Sequence, residues 1–276
     1  MKRLILTIGT VLFLTASLLA QDLISVNDLN TAIRKKEVIA VDARSDAKYK
    51  ADAHIRNAVH VSYKDLQKSS NVKGELISTS QIAAILGKNG ISADKPIVVY
   101  DGGSAKYAGR LYWILKYTGA ENVRMLDGNL KAWKAKRKPI TKNPTMARKT
   151  RFNASVDKSI IATMADVKKG SAALIDVRSA AEYNGSDKKS KGHIPGAINI
   201  EFKKVLDGNG KLKNNAAISQ LFSKVGGKNK EIILYCGSSV RAGVVFLALK
   251  GAGYTNVKVY DGAYYEWESA GNKIVQ

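Results

Sequence analysis

The feature that most constrains this chain is an internal repeat. An Asp-x-Arg segment, a His-Ile segment and a closing Asp-Gly segment that ends in Trp occur in the first half and recur in the same order in the second. The recurring pairs are Asp42 and Asp176, His54 and His193, and Trp133 and Trp267, which lie 134, 139 and 134 residues apart. A period of this length is too long for a solenoid unit, so each copy needs its own hydrophobic core. The sequence therefore predicts two similar domains.

The boundaries of these domains follow from composition. The segment from Lys138 to Arg151 is polar and basic and contains two of the four prolines, which is typical of a linker. The total of 276 residues is enough for two domains of ordinary size. We expect a signal peptide at 1–20, a first domain at 21–142, a linker at 143–154 and a second domain at 155–276.

The first twenty residues have the pattern of a secretory signal peptide. Lys2 and Arg3 are followed by an uncharged, mostly apolar run from Leu4 to Leu19, and the small residue Ala20 precedes polar sequence. An uncleaved membrane anchor is the alternative, although an apolar run of about 16 residues is short for a bilayer span. We expect an exported protein, in a bacterial periplasm, without stable membrane insertion after cleavage.

Each half alternates short β-branched runs with longer segments of helical period. In the second half this predicts strands at 172–176, 232–235 and 257–260 and helices at 216–225 and 242–250. Short, uniformly apolar strands separated by helices indicate a parallel sheet. The expected fold class is α/β, with two domains that each contain a parallel sheet covered by helices on both faces. Ligands of such sheets bind beyond the carboxyl ends of the strands.

One of those strand ends carries the only cysteine of the chain, Cys236. A tight loop connects it to the helix that begins at Ala242. The backbone N–H groups of such a loop, the positive end of the helix and Arg241 together favour an anion and a thiolate. We expect Cys236 to be the catalytic nucleophile. The residues expected to bind the substrate are Gly237, Ser238, Ser239, Val240 and Arg241. The alternative is that Cys236 is a small apolar core residue.

The first half differs at this point. Asp101 stands where the second half has Cys236, and eight steps separate it from Gly109, against seven from Cys236 to Gly243. The first loop is therefore one residue longer and lacks a nucleophile. We expect the first domain to be catalytically inactive.

The repeated Asp-x-Arg and His-Ile segments, the strand-Cys-loop-helix and the closing Asp-Gly segment together resemble a tandem rhodanese, of the thiosulfate and 3-mercaptopyruvate sulfurtransferase group. The resemblance covers nearly all of the chain after the signal segment. It implies two rhodanese-like domains, with the cysteine in the second and an inert first domain. It also implies an active site near the domain interface, with no metal or organic cofactor.

The resemblance implies that Cys236 takes a sulfane sulfur from a small anionic donor and passes it to a thiol or to cyanide. Related enzymes have an Arg four residues after the Arg of Asp-x-Arg, where this chain has Glu182. This leaves the donor open among thiosulfate, which we expect, 3-mercaptopyruvate and polysulfide or a persulfide. A non-enzymatic sulfur carrier is a further alternative. Phosphatases and arsenate reductases have five residues between Cys and Arg, against four here, which disfavours those activities.

The other repeated residues are expected to be structural. Asp42 with Arg44 and Asp176 with Arg178 should form ion pairs at strand ends, and Trp133 and Trp267 should pack in the core or the interface. His54 and His193 are expected to be turn residues with hydrogen-bonded rings, although His54 could also act in catalysis, as the mercaptopyruvate branch implies.

Charge and cysteine content limit the partners. The net charge of +22 favours anionic partners. The aromatic content of 7% and the scattered Lys and Arg residues argue against nucleic acid. A single cysteine excludes an internal disulfide and a zinc site built from several thiolates.

Overall fold

The two halves of the chain form two α/β units of the same design. The computed structural model describes residues 22–70, 72–188 and 190–276, so the proposed signal peptide lies outside the described residues. The elements of the first half are β1 (Leu23–Ile24), α1 (Val26–Arg34), β2 (Ile39–Asp42), α2 (Asp46–Ala51), β3 (His54–Ile55), β4 (Val59–His60), α3 (Thr79–Lys88), β5 (Ile97–Tyr100), α4 (Lys106–Tyr117), β6 (Val123–Leu126), α5 (Asn129–Ala135) and β7 (Ile140–Thr141).

The second half repeats this order, except that its described residues contain no strands equivalent to β3 and β7. Its elements are β8 (Ile161–Ala162), α6 (Met164–Lys169), β9 (Ala173–Asp176), α7 (Ala180–Tyr183), β10 (Ile198–Asn199), α8 (Asn215–Leu221), β11 (Ile232–Tyr235), α9 (Ala242–Gly251), β12 (Val257–Tyr260) and α10 (Ala263–Ser269). Short 3-10 helices at Tyr63–Leu66 and Phe202–Val205 follow β4 and β10. The helix predicted at 216–225 is divided, because α8 ends at Leu221 and a separate 3-10 turn covers Ser223–Val225.

Each half contains one five-stranded parallel sheet, as the sequence predicts. The strand orders are β1-β6-β5-β2-β4 and β8-β12-β11-β9-β10, so equivalent strands hold equivalent places. In the second sheet Leu234 of β11 lies opposite Ile175 of β9 and Val259 of β12. All four residues of the central strand are buried in both sheets, because helices cover both faces. The strands β3 and β7 form a separate antiparallel pair.

The outer face of each sheet has its own core, whereas the inner faces share one. Trp133 is part of the outer core of the first domain and Trp267 is part of that of the second, which confirms that they pack in the core. The shared core is a continuous cluster of buried residues from both halves, and α4 and α9 meet within it. Among the described residues, none of the helices has the length and apolar character needed to cross a membrane.

The contact between α4 and α9 depends on two equivalent glycines. A Cβ atom on Gly109 would lie 2.4 Å from the backbone nitrogen of Val244, and one on Gly243 would lie 2.3 Å from the carbonyl oxygen of Gly109. Both obstacles are backbone atoms, so neither can move aside without displacing a helix. The two helices therefore touch backbone to backbone at the centre of the domain interface.

We expect Gly109→Ala to lower the free energy of unfolding by about 1–3 kcal/mol, because overpacking forces the backbones apart. Gly251→Ala is the matched control in α9. The nearest atom to its added Cβ would be 3.7 Å away, so stability should stay the same or rise by up to about 1 kcal/mol. Urea unfolding followed by circular dichroism measures both. Equal stability of the two variants would contradict this account of the interface.

Candidate active site

Cys236 occupies the position that the sequence predicts, at the carboxyl end of β11 and before the first turn of α9. Its residue is 1% exposed. The backbone N–H of Arg241 donates to Sγ at 3.3 Å, and the carbonyl of Cys236 accepts from the N–H of Tyr264 at 3.0 Å. The thiol therefore points into a loop that offers it a backbone donor at a helix N-terminus.

Two residues give the loop its tight path. Ser239 has a φ of +60°, in the left-handed region that non-glycine residues rarely adopt. Gly237 packs against the ring of Tyr265. A Cβ atom at position 237 would lie 3.3 Å from that ring. The side chain of Ser239 is fully buried and turned away from the cleft, so this residue contributes to the loop through its backbone.

An open cleft of about 460 Å³ lies beside the loop and draws its walls from both domains. Of the six residues predicted at the site, Ser238, Val240 and Arg241 line this cleft, while Cys236, Gly237 and Ser239 lie beneath its surface. The other lining residues are Tyr63, Lys106 and Tyr107 from the first domain, and Ser179, Glu182, Glu201, Phe202 and Lys203 from the second. The site therefore lies at the domain interface, as the resemblance implies.

The guanidinium of Arg241 lines the cleft and is ion-paired with a carboxylate of the same wall. Both of its terminal nitrogens donate to the carboxylate of Glu182, at 2.6 and 2.7 Å. Burial disfavours both charges, yet the ion pair outweighs it: the pKa of Arg241 is raised and the pKa of Glu182 is lowered to about 2. Arg241 thus forms a neutralised pair. Of the other cations that line the cleft, Lys203 lies 3.5 Å from a carboxylate oxygen of Glu201, and Lys106 lies over the ring of Tyr107.

The corresponding loop of the first domain shows what this backbone is built to hold. Ala105 has a φ of +60°, the same as its counterpart Ser239. The carboxylate of Asp101 accepts hydrogen bonds within this loop at 2.7–3.4 Å. Its donors are the backbone N–H groups of Gly103, Ala105, Tyr107 and Ala108 and the hydroxyl of Ser104. The loop is thus an anion cradle, and in the first domain the chain fills it with its own carboxylate.

The Asp-x-Arg pairs are structural in both domains, as predicted. Arg178 is fully buried and binds both oxygens of Asp176, with the closest contact at 2.6 Å. Arg44 binds Asp42 in the same way, with a closest contact of 2.7 Å. Because the arrangement is the same in the domain without a cysteine, it belongs to the fold of the strand end.

Both histidines of the His-Ile segments have hydrogen-bonded rings, as predicted. Nδ1 of His193 lies 3.0 Å from the carbonyl oxygen of Tyr183, and Nε2 of His54 lies 3.2 Å from the hydroxyl of Tyr49. Burial lowers the pKa of His54. Neither histidine lines the cleft beside Cys236, so the geometry gives His54 no contact with a reacting group there.

The first-domain wall is the part of the site that the sequence reasoning missed. Tyr63 lies 139 residues before Phe202, the same spacing that separates His54 from His193, and each of the two residues begins a 3-10 helix at the cleft. Applying the repeat spacing to the residues around the catalytic loop would have indicated this pairing. Among the described residues, no cluster of His, Cys, Asp and Glu could hold a metal ion.

Comparison with known proteins agrees with the two cores and the cleft. A family model described as "Rhodanese-like domain" matches twice, at residues 25–136 and 162–270. The chain belongs to the rhodanese-like family. It is a sulfurtransferase of the rhodanese type.

The individual relatives align with most of the length of this rhodanese. The 3-mercaptopyruvate sulfurtransferase of Escherichia coli K12 is 31% identical over 81% of this chain and 83% of its own length. A Mycobacterium bovis protein named "Putative thiosulfate sulfurtransferase 1" is 29% identical over 90% of this chain and 94% of its own. The crystal structure of SseA, a 3-mercaptopyruvate sulfurtransferase from Escherichia coli, superposes with a TM-score of 0.80 at 30% identity and covers 88% of this chain and 98% of its own.

The filled cradle of the first domain predicts a cost for removing its anion. We expect Asp101→Asn to lower the free energy of unfolding by about 1–3 kcal/mol, because an amide nitrogen cannot accept from the backbone N–H groups that the carboxylate now satisfies. The exposed Asp94→Asn changes the net charge equally and serves as the control. Urea unfolding compares the two. If Asp101→Asn is as stable as the control, the carboxylate does not stabilise the loop.

The lowered pKa of Glu182 predicts a pH-dependent contribution to stability. An ion-paired carboxylate with a folded-state pKa of about 2 stabilises the protein fully above its ordinary pKa of about 4.5 and loses this contribution as pH falls towards 2. The difference in unfolding free energy between wild type and Glu182→Gln should therefore be largest near neutral pH and shrink below about pH 4.5. Urea unfolding across pH measures it, with the exposed Glu121→Gln as control. A difference that stays constant down to about pH 2.5 would contradict the ion-pair account.

Proposed function

We propose that this rhodanese transfers a sulfane sulfur from thiosulfate to a thiol or to cyanide through a persulfide on Cys236. The observation that carries the proposal is a buried thiol whose Sγ accepts a backbone N–H inside an anion cradle at a helix N-terminus. Among the described residues that line the cleft there is no histidine to act as the base of an acyl-transfer reaction. A thiolate with the backbone N–H and the guanidinium of Arg241 as neighbours, and no histidine, suits attack on sulfur.

The reaction takes two displacements. In the first, the Cys236 thiolate attacks the outer sulfur of thiosulfate, the S–S bond of the donor breaks, and its electron pair leaves with sulfite. The enzyme then carries a Cys236 persulfide, whose negative terminal sulfur can accept from the loop N–H groups. In the second, cyanide or a thiolate attacks that terminal sulfur, and the electron pair of the broken S–S bond returns to Sγ. Such covalent storage predicts ping-pong kinetics.

The charges of the cleft support thiosulfate over 3-mercaptopyruvate. Glu182 stands where the resembling enzymes have an arginine, and it also occupies the guanidinium of Arg241. No other arginine lines the cleft among the described residues, so a carboxylate would find no arginine fork there. The other cations of the cleft are Lys106 and Lys203, of which Lys203 is paired with Glu201 at 3.5 Å. An ammonium group is a point charge, and a compact dianion does not need a fork.

Intact mass after incubation with thiosulfate tests the first displacement. We expect a gain of about 32 Da that disappears in Cys236→Ala, and thiocyanate release when cyanide is added. Competition between thiosulfate and 3-mercaptopyruvate, measured as kcat/KM, decides the donor. An adduct without turnover by any acceptor would instead support a sulfur carrier. No adduct together with hydrolysis of aryl phosphates would overturn the assignment.

We also propose that the protein is exported to a bacterial periplasm. The support is the pattern of the first twenty residues, with a basic start, an apolar run and a small residue before polar sequence. Mass spectrometry of the cell-derived protein tests this. A mature chain that begins at Gln21 in the periplasmic fraction is the expected result, whereas an intact chain in the membrane fraction would support the uncleaved anchor.

A further inference from the structure

Arg110 is a buried charged residue that the reaction above does not use. It lies in α4 of the inert first domain, one position after Gly109, and it is fully buried. Its head group crosses the domain interface to the catalytic loop of the second domain. Nη1 donates to the hydroxyl of Ser239 at 2.9 Å and lies 3.5 Å from the Ser239 carbonyl oxygen.

The other end of the guanidinium is held firmly. Nη2 donates to the carboxylate of Asp261 and to the carbonyl of Gly74, both at 2.7 Å. The second oxygen of Asp261 accepts the backbone N–H of Leu76 at 2.9 Å. Arg110 of α4 thus connects the first-domain segment around Gly74 with the second-domain carboxylate of Asp261. These hydrogen bonds fix the position of its guanidinium.

The two equivalent loops differ in how they are supported. In the first domain the Asp101 carboxylate bridges the backbone N–H groups of its own loop and holds it from within. In the catalytic loop Cys236 replaces the aspartate, and its Sγ accepts the backbone N–H of Arg241, whereas the Asp101 carboxylate accepts four backbone N–H groups. The left-handed residue of the catalytic loop, Ser239, carries a hydroxyl where the counterpart Ala105 has none, and that hydroxyl binds Arg110.

The support is one-sided. The residue equivalent to Arg110 in α9 is Val244, so α9 has no arginine that could reach the loop of the first domain. Asp127, the residue equivalent to Asp261, is instead paired at 3.5 Å with Lys211, which does not lie on α9. The arginine is therefore present only on the helix that faces the catalytic loop. A fold that merely needed a polar contact between α4 and α9 would not require this asymmetry.

We propose that Arg110 is a positioning residue of the sulfur-transfer reaction. Arg110 holds Ser239 in its left-handed conformation from the side of the loop that faces away from the cleft. This keeps the N–H of Arg241 directed at Sγ of Cys236 and keeps the cradle open. The catalytically inert domain thus supplies part of the support of the active site. The effect on turnover rests on the proposed function, but the effect on the reactivity of the Cys236 thiol does not.

Alkylation of Cys236 by iodoacetamide tests this independently of the sulfur donor. Cys236 is the only cysteine in the chain, so the rate reports one thiolate. The test variants are Arg110→Gln and Ser239→Ala. The matched control is Thr118→Val, which removes a buried side-chain hydrogen bond at the C-terminal end of α4, to the carbonyl of Ile114. Trp113 is not suitable as a control, because the guanidinium of Arg110 lies over its ring at 4.9 Å.

We expect both test variants to shift the alkylation profile towards higher pH, and Thr118→Val to leave the profile unchanged. In Arg110→Gln the kcat/KM with thiosulfate should fall about 10-fold to 100-fold, as a small misplacement of a reacting group does. The double variant Arg110→Gln with Ser239→Ala should have nearly the same kcat/KM as Arg110→Gln alone. The two substitutions remove the same hydrogen bond, between Arg110 and Ser239, so their effects should not add.

An unchanged alkylation profile in Arg110→Gln and Ser239→Ala would overturn the proposal, whatever happens to stability. If Arg110→Gln fails to fold, Ser239→Ala and Arg110→Lys decide the question through the same profile. If the wild type forms no persulfide with thiosulfate but the profile still shifts, the proposed donor is wrong and the positioning role stands.

Discussion

The backbone contact between α4 and α9 is the constraint on which the rest of this structure depends. Gly109 and Gly243 let the two helices touch without intervening side chains. Each helix begins at the loop that follows its central strand, so the crossing brings the two equivalent loops and the segments around them to one interface. The cleft beside Cys236 has walls from both domains because the helices lie this close.

The two loops show one backbone design put to two uses. Both contain a residue at a φ of +60°, Ala105 in one and Ser239 in the other. The Asp101 carboxylate fills the first cradle and accepts hydrogen bonds from its backbone donors. In the second, Cys236 stands in place of the aspartate, and its Sγ accepts the N–H of Arg241.

Three arginines in and around the site are ion-paired with carboxylates. Arg178 is held by Asp176, Arg241 by Glu182 and Arg110 by Asp261, and each pair is buried or partly buried. A guanidinium in this setting orders the backbone around it, because it has five donors in a rigid fork and its partner removes the cost of burying a lone charge. The cations left in the cleft are lysines, and this bears directly on which donor the enzyme accepts.

The sequence by itself determined the duplication, the parallel α/β fold, the place of Cys236 at a strand end and the structural roles of Trp133 and Trp267. These follow from local patterns: repeated segments, apolar runs and one residue type at a strand-loop-helix junction. Tertiary structure alone decided that Glu182 engages Arg241, that Tyr63 and Lys106 line the cleft, and that Arg110 reaches Ser239. Glu182 lies 59 positions before Arg241, and Arg110 lies 129 positions before Ser239. Lys106 and Tyr63 lie 132 and 175 positions before Ser238. No local pattern specifies which long side chains meet when two helices pack across a domain interface.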